Sequence, residues 1–125
     1  MAERPKVLLV EDDRDTRHMY AMWLEAIGFD VHEAGDGVEG VRSTQNWHPD
    51  VVLMDLAMPR MDGFEATRTI KQNPATSSVP VVILSAFSSA RDRQRALEAG
   101  AAEFLGKPCD LDLVASRVRH YSRAC

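Results

Sequence analysis

The sequence predicts an α/β fold in which five parallel strands form one sheet and helices cover both of its faces. Short strand-like segments alternate five times with segments of helical periodicity, and this alternation is typical of a parallel sheet with crossover helices. Three of the strand-like segments are apolar throughout, as strands are when both of their faces are buried. The other two are more polar, which suits strands at the edges of a sheet.

The order of the strands follows from this difference in polarity. The apolar segments are residues 7–10, 51–54 and 81–84, and the polar ones are residues 31–34 and 103–106. If the polar second and fifth strands are outermost, the order is 2-1-3-4-5. This is the order of flavodoxin-like, doubly wound (βα)5 folds, in which ligands bind beyond the carboxyl ends of the strands.

Helices are predicted between and after these strands. An apolar stripe with the spacing of one helix face predicts the first helix, which Gly28 would end. The stripe consists of Met19, Met22, Trp23, Ala26 and Ile27. A similar stripe, with Asp110 as the N-cap, predicts the last helix. It consists of Leu111, Val114, Ala115 and Val118. Weaker patterns predict helices over about residues 38–45, 64–72 and 90–99.

Length and composition predict a single domain over residues 1–125, with a core of about residues 6–121 and no output domain. The net charge of −4 gives no basic signature for direct binding of nucleic acid. No apolar run approaches the roughly 20 residues that span a bilayer, and the first residues lack a signal-peptide core. We therefore expect a cytoplasmic protein without membrane insertion, whose Cys109 and Cys125 are free thiols.

Charged and polar side chains follow four of the predicted strands. Glu11 and Asp12 follow the first strand and Asp55 follows the third, while Ser85 and Lys107 follow the fourth and fifth. Because the first and third strands are neighbours in the predicted order, the three carboxylates would lie together. Three carboxylates in one pocket repel each other, and one lysine does not balance them. A hard divalent cation with oxygen ligands would balance their charge, so the cluster predicts a site for Mg²⁺ or Mn²⁺.

The same cluster predicts chemistry at Asp55. A metal ion can hold one phosphoryl oxygen, and Lys107 and Ser85 can bind the others by charge and hydrogen bond. A carboxylate forms an acyl phosphate when a metal and a preorganised cationic group assist it. Asp55 is therefore predicted to be a nucleophile that becomes phosphorylated. The adjacent Asp13 is better interpreted as a helix N-cap or a solvated neighbour of the pocket.

Four motifs in order resemble the receiver domain of two-component response regulators: LLVEDD, LMDLAMPRMDG, VVILSA and FLGKP. Separations of 43, 30 and 22 residues lie between Asp12, Asp55, Ser85 and Lys107, and the resemblance covers about residues 6–121. It implies that Asp55 is the phosphoacceptor, that Asp12 binds the metal directly and Glu11 through water, and that the backbone carbonyl of Ala57 completes the protein ligands.

The resemblance also implies how the domain signals. Ser85 and Lys107 would bind the phosphoryl group, Phe104 would be a switch residue that acts by ring burial, and Lys107–Pro108 would be a cis peptide. A sensor histidine kinase or a phosphotransfer protein would supply the phosphoryl group, and the domain would catalyse its own phosphorylation and dephosphorylation without being a conventional enzyme. Phosphorylation would alter the surface of the fourth helix, fifth strand and fifth helix for partner binding or phosphate relay, in a monomer or a phosphorylation-dependent dimer.

That surface carries three arginines of the fourth helix, Arg91, Arg93 and Arg95. The simpler interpretation is a solvated helix face, and the more specific one is a surface that binds an acidic partner.

Three other interpretations of the sequence are weaker. GDGVEG, at residues 35–40, matches a dinucleotide-binding pattern, but it follows a polar edge strand and is interpreted as a glycine turn before the second helix. A phosphatase of the haloacid-dehalogenase kind needs a second acid two residues after its nucleophile, where this chain has Ala57. A phosphorylation-independent interaction module on the same fold stays open, because a fold does not determine a function.

Overall fold

The computed structural model describes residues 4–58, 60–108 and 110–122, so Pro59 and the predicted thiols of Cys109 and Cys125 lie outside the described residues. Within these ranges, ten elements alternate along the chain. The strands are β1 (Lys6–Val10), β2 (Asp30–Ala34), β3 (Val51–Met54), β4 (Val81–Ser85) and β5 (Glu103–Gly106). The helices are α1 (Arg14–Ala26), α2 (Gly37–Trp47), α3 (Gly63–Gln72), α4 (Ala90–Glu98) and α5 (Leu111–Ser122).

The strands form one parallel sheet in the order β2-β1-β3-β4-β5, which confirms the predicted fold. Successive residues of β1 point to opposite faces, so Leu8 and Val10 pack on one side of the sheet and Val7 and Leu9 on the other. Side chains of α2, α3 and α4 cover the first face, and side chains of α1 and α5 cover the second. None of the helices in the described ranges is long and apolar enough to cross a membrane.

The predicted buried face of α1 is confirmed only in part. Trp23 and Ile27 of the predicted stripe pack against the core, whereas its other three members are exposed. Met19 and Met22 are 54% and 65% exposed, and the side chains that face the core are those of Tyr20, Ala21 and Leu24. Residues 19–24 are all apolar, so helical spacing alone is compatible with more than one buried face. Tyr20, Ala21 and Leu24 pack into the core, and the two methionines therefore face solvent.

Helices α1 and α5 begin where local capping chemistry favours it. Asp13 caps α1 by accepting the amide of Thr16, as one of the two interpretations of this residue predicts. Asp110 accepts the amide of Asp112 at 2.9 Å, which agrees with its predicted role before α5. Leu111 of the predicted α5 stripe is 39% exposed, whereas Val114, Ala115 and Val118 are buried as predicted.

Candidate functional site

The sheet brings the predicted site residues to its carboxyl edge. Val10 pairs with Met54 in the β1–β3 ladder, so Glu11 and Asp55 follow neighbouring strands at the same level. The amide of Asp55 donates to the carbonyl of Val10 at 3.0 Å, which fixes the end of β3. Likewise, Ser85 pairs with Gly106, and the amide of Lys107 donates to the carbonyl of Ser85 at 2.8 Å.

Three carboxylates converge at this edge. One carboxylate oxygen from each of Glu11, Asp12 and Asp55 lies within 4.8 Å of the other two. Glu11 is buried, Asp55 is half-buried and Asp12 is exposed, so the cluster opens to solvent on the side of Asp12. The combination of close like charges and oxygen-only donors fits a divalent cation such as Mg²⁺.

Lys107 lies beside this cluster and contacts Glu11 directly. Its Nζ donates to Oε1 of Glu11 at 2.9 Å, and its side chain is 22% exposed. Burial acts to lower the pKa of Lys107, but the hydrogen bond and charge of Glu11, together with the charge of Asp55, outweigh burial and leave this pKa above its ordinary value. Lys107 is therefore a permanent cation at neutral pH, one that touches the acidic cluster.

The three successive acids after β1 have different environments. Partial removal from water and the neighbouring Glu11 raise the pKa of Asp12. Hydrogen bonds from Thr16 lower the pKa of Asp13, whose carboxylate caps α1. The carbonyl of Glu11 accepts a hydrogen bond from Nη1 of Arg17 at 3.0 Å, and Nε of Arg17 donates to Glu33 at 3.0 Å. Arg17 thus anchors the backbone of the acidic segment, a role that sequence patterns gave no reason to predict.

The segment after Asp55 is closely packed at its base. The amide of Leu56 donates to Oδ1 of Asp55 at 2.8 Å, and the amide of Gly63 donates to the carbonyl of Leu56 at 2.9 Å. A Cβ atom at Gly63 would lie 2.1 Å from the carbonyl oxygen of Asp55, so only glycine fits there. Ala57 is exposed and lines, with Asp12, a groove of about 460 Å³ that opens beside the acidic cluster.

Ser85 and Phe104, the predicted switch residues, are both buried. Ser85 is fully buried, and its Oγ accepts the amide of Phe87 at 3.2 Å. The ring of Phe104 is 9% exposed and already lies in the core on the α3–α4 side of the sheet. The Lys107–Pro108 peptide is cis, as the sequence analysis expects.

The three arginines of α4 are exposed, but two of them contact aromatic rings. The guanidinium of Arg93 lies 4.8 Å from the ring centroid of Phe104, and that of Arg95 lies 4.0 Å from the centroid of Phe64. At these distances the cation interacts with the ring face. This part of α4 is therefore more than a solvated charged surface, because it packs over the predicted switch residue.

Comparisons with known proteins agree with this architecture. The family model for the response regulator receiver domain matches residues 7–119. The chain is 31% identical over 115 residues to a DNA-binding dual master transcriptional regulator, RpaA, of Synechocystis, covering 92% of this chain and 48% of that protein. The chain thus spans about half the length of this curated relative.

Two solved structures share the fold closely. One is the signal receiver domain of a signal transduction histidine kinase from Syntrophus aciditrophicus, with a TM-score of 0.88, 34% identity, and coverage of 95% of this chain and 90% of that one. The other is the receiver domain of a sensor histidine kinase from Pseudomonas aeruginosa, with a TM-score of 0.89, 30% identity, and coverage of 98% of this chain and 100% of that one. The second structure holds a magnesium ion in its active-site cleft.

Proposed function

The chain belongs to the response regulator receiver domain family, and from this premise we propose that Asp55 accepts a phosphoryl group in a metal-dependent reaction. The observation that carries the proposal is the convergence of Glu11, Asp12 and Asp55 within 4.8 Å, with Lys107 in contact with Glu11. This cluster differs from an ordinary group of surface acids. It places three carboxylates and one lysine together at the carboxyl edge of a parallel sheet, where ligands bind.

We assign the metal site to the carboxylates of Glu11, Asp12 and Asp55 and to the backbone carbonyl of Ala57. The donor set fits Mg²⁺ or Mn²⁺, because all of its atoms are oxygens and the three acids carry more negative charge than Lys107 balances. Bound Mg²⁺ would lower the repulsion between the nucleophile and the incoming phosphoryl oxygens. The groove lined by Asp12 and Ala57 opens beside the acidic cluster, and a phosphoryl donor would approach from this side.

In the proposed reaction, an Asp55 carboxylate oxygen attacks phosphorus while the bond from phosphorus to the histidine nitrogen of the donor breaks. The imidazole of a sensor histidine kinase or phosphotransfer protein is the leaving group. Lys107 would move its ammonium group from Glu11 to a phosphoryl oxygen, and Ser85 would donate its hydroxyl hydrogen to another. Hydrolysis by water would later restore the Asp55 carboxylate.

The response would pass from Ser85 to the surface of α4, β5 and α5. When the hydroxyl of Ser85 turns to the phosphoryl group, the amide of Phe87 loses the acceptor that it has at 3.2 Å. The β4–α4 connection would then shift, and Phe104 with the overlying Arg93 would repack. Such a change biases two states of the domain, and a partner or a second copy would bind one of them better.

The output of the domain would lie in a partner or in another part of a longer protein. RpaA is a DNA-binding regulator by name, and the chain corresponds to less than half of it. The net charge of −4 gives no reason to assign DNA binding to this domain itself. We propose that it acts in the cytoplasm by partner binding or phosphate relay.

Intact mass after incubation with acetyl phosphate tests the proposal. With Mg²⁺ we expect a gain of one phosphoryl group, about 80 Da, that is lost in Asp55→Asn and without the metal. Asp62→Asn is a matched control, because this exposed carboxylate caps α3 and asparagine is an equally good cap. If the chain neither gains a phosphoryl group nor binds Mg²⁺, the assignment fails in favour of a phosphorylation-independent interaction module.

A further inference from the structure

The loop between β3 and α3 is tied to the start of α2 by a buried carboxylate. Oδ2 of Asp36 accepts hydrogen bonds from Nε of Arg60, at 3.0 Å, and from Nη2 of the same side chain. Oδ1 of Asp36 accepts the amide of Glu39 at 2.9 Å and so caps α2. Asp36 is 8% exposed although it is an aspartate at a helix end. One carboxylate therefore holds both a helix terminus and a loop 24 residues away.

The backbone conformation of Arg60 is unusual for an arginine. Arg60 has a φ of 66°, in the left-handed region that glycine and asparagine adopt more easily than other residues. A glycine there would relieve this backbone strain but would lose both hydrogen bonds to Oδ2 of Asp36. The chain thus carries, at a position whose backbone favours glycine, an arginine whose side chain bonds Asp36.

A second contact joins the same two segments through their backbones. A Cβ atom at Gly37, the first residue of α2, would lie 2.2 Å from the carbonyl oxygen of Met61. Only a glycine lets the loop approach so closely. At its base the loop is closed by the hydrogen bond from the Gly63 amide to the Leu56 carbonyl. The loop is consequently held at its base by Leu56 and Gly63, and again at Arg60 and Met61.

We propose that Asp36 and Arg60 form a positioning pair for the metal site: by holding the loop against α2, they fix the direction of the Ala57 carbonyl. The inference rests on the proposed function, because Ala57 is a metal ligand only there. Neither residue belongs to the acidic cluster of Glu11, Asp12 and Asp55. Groups that orient metal ligands without binding the metal commonly change its affinity by about tenfold or more when they are removed.

Calorimetric titration of the full chain with Mg²⁺ tests this pair. Arg60→Gly removes the ion pair and relieves the strain of the positive φ. We therefore expect that, in the absence of metal, this variant unfolds at a temperature close to that of the unaltered protein. Asp36→Asn keeps a good N-cap but removes the charge. Both variants should bind Mg²⁺ about tenfold more weakly. The double variant should be no weaker than either single one, because the two residues act as a unit.

Arg42→Ala is the matched control, since it removes an exposed arginine from the same helix α2. It should leave the Mg²⁺ affinity within about twofold, as weak surface electrostatics predicts. A purely structural role of the pair would lower the unfolding temperature of Asp36→Asn and Arg60→Gly without changing their Mg²⁺ affinity, and this result would overturn the inference.

The outcomes separate this inference from the proposed function. Suppose that the unaltered chain binds Mg²⁺ and that Asp12→Asn abolishes binding. If Asp36→Asn and Arg60→Gly then bind Mg²⁺ as tightly as the unaltered chain, the positioning role is refuted while the metal site stands. If the unaltered chain binds no Mg²⁺, the proposed metal site fails and the inference fails with it.

Discussion

The interior of the sheet and its carboxyl edge are one residue apart, yet they are built from opposite chemistry. Val10 and Met54 are fully buried and pack with other apolar side chains. The next residues, Glu11 and Asp55, belong to a cluster of like charges. Interior burial stabilises the fold, whereas the repulsion at the edge opposes it. Stability and chemistry therefore depend on adjacent positions of the same strands, and single substitutions should affect one without the other.

The largest effect on stability is expected in the interior. Leu53 is fully buried in β3, and Leu53→Ala should lower the free energy of unfolding by about 3 kcal/mol because it leaves a cavity. Urea unfolding measures this change. Leu97→Ala, on an α4 leucine that is 50% exposed, is the control and should change the free energy by less than about 0.5 kcal/mol. The molecules of Leu53→Ala that stay folded should still bind Mg²⁺. Loss of binding in the folded fraction would show that the two regions are not separable.

An intermediate effect of the opposite sign is expected at the edge. Asp12→Asn removes one of three close carboxylates, so the metal-free protein should become more stable by a few tenths to about 1 kcal/mol. The unaltered protein should gain thermal stability with rising Mg²⁺, because a ligand that binds only the folded state stabilises it. Asp12→Asn should lose that gain. Thermal unfolding with and without Mg²⁺ measures both, and a metal-free variant less stable than the unaltered chain would contradict the account of the edge.

The smallest effect concerns pH. The hydrogen bond from the amide of Glu39 lowers the pKa of Asp36, burial opposes this effect, and the side chain of Arg60 adds to it, so that the pKa lies below its ordinary value. A lowered pKa means that this contribution to stability is present above the pKa of the unfolded chain, near 4, and is lost as the pH falls through the lower folded value. The stability difference between the unaltered protein and Asp36→Asn should therefore shrink between about pH 5 and pH 2. Urea unfolding across this range would detect it, and a difference that grows toward acid would refute the assignment.

Strand positions and the residues that follow them could be predicted from the sequence because they depend on backbone order. Continuous apolar runs marked β1, β3 and β4, and the ligand edge of a parallel sheet has a known side. The buried face of α1 could not be predicted in full, because six consecutive apolar residues are compatible with several rotations of the helix. The contact between Lys107 and Glu11 could not be predicted either, because it depends on how one long side chain bends.

The ion pair between Asp36 and Arg60 could not be predicted from the sequence for a different reason. Both residues stand in loop-like segments, GDG and MPRMDG, where aspartate and arginine are ordinary surface residues. The signal is the positive φ of Arg60 together with the burial of Asp36, and both are properties of the folded chain. A pattern of residue types contains neither property.

Chemical trapping would identify the phosphorylated residue itself. Borohydride reduces an aspartyl phosphate to homoserine, so the protein would be treated with acetyl phosphate and Mg²⁺, reduced, digested and sequenced by mass spectrometry. We predict homoserine at residue 55 and unmodified aspartate at residues 12 and 13. Homoserine at another acid, or a phosphoryl group that resists borohydride on a serine or histidine, would contradict the account of Asp55 as the phosphoacceptor.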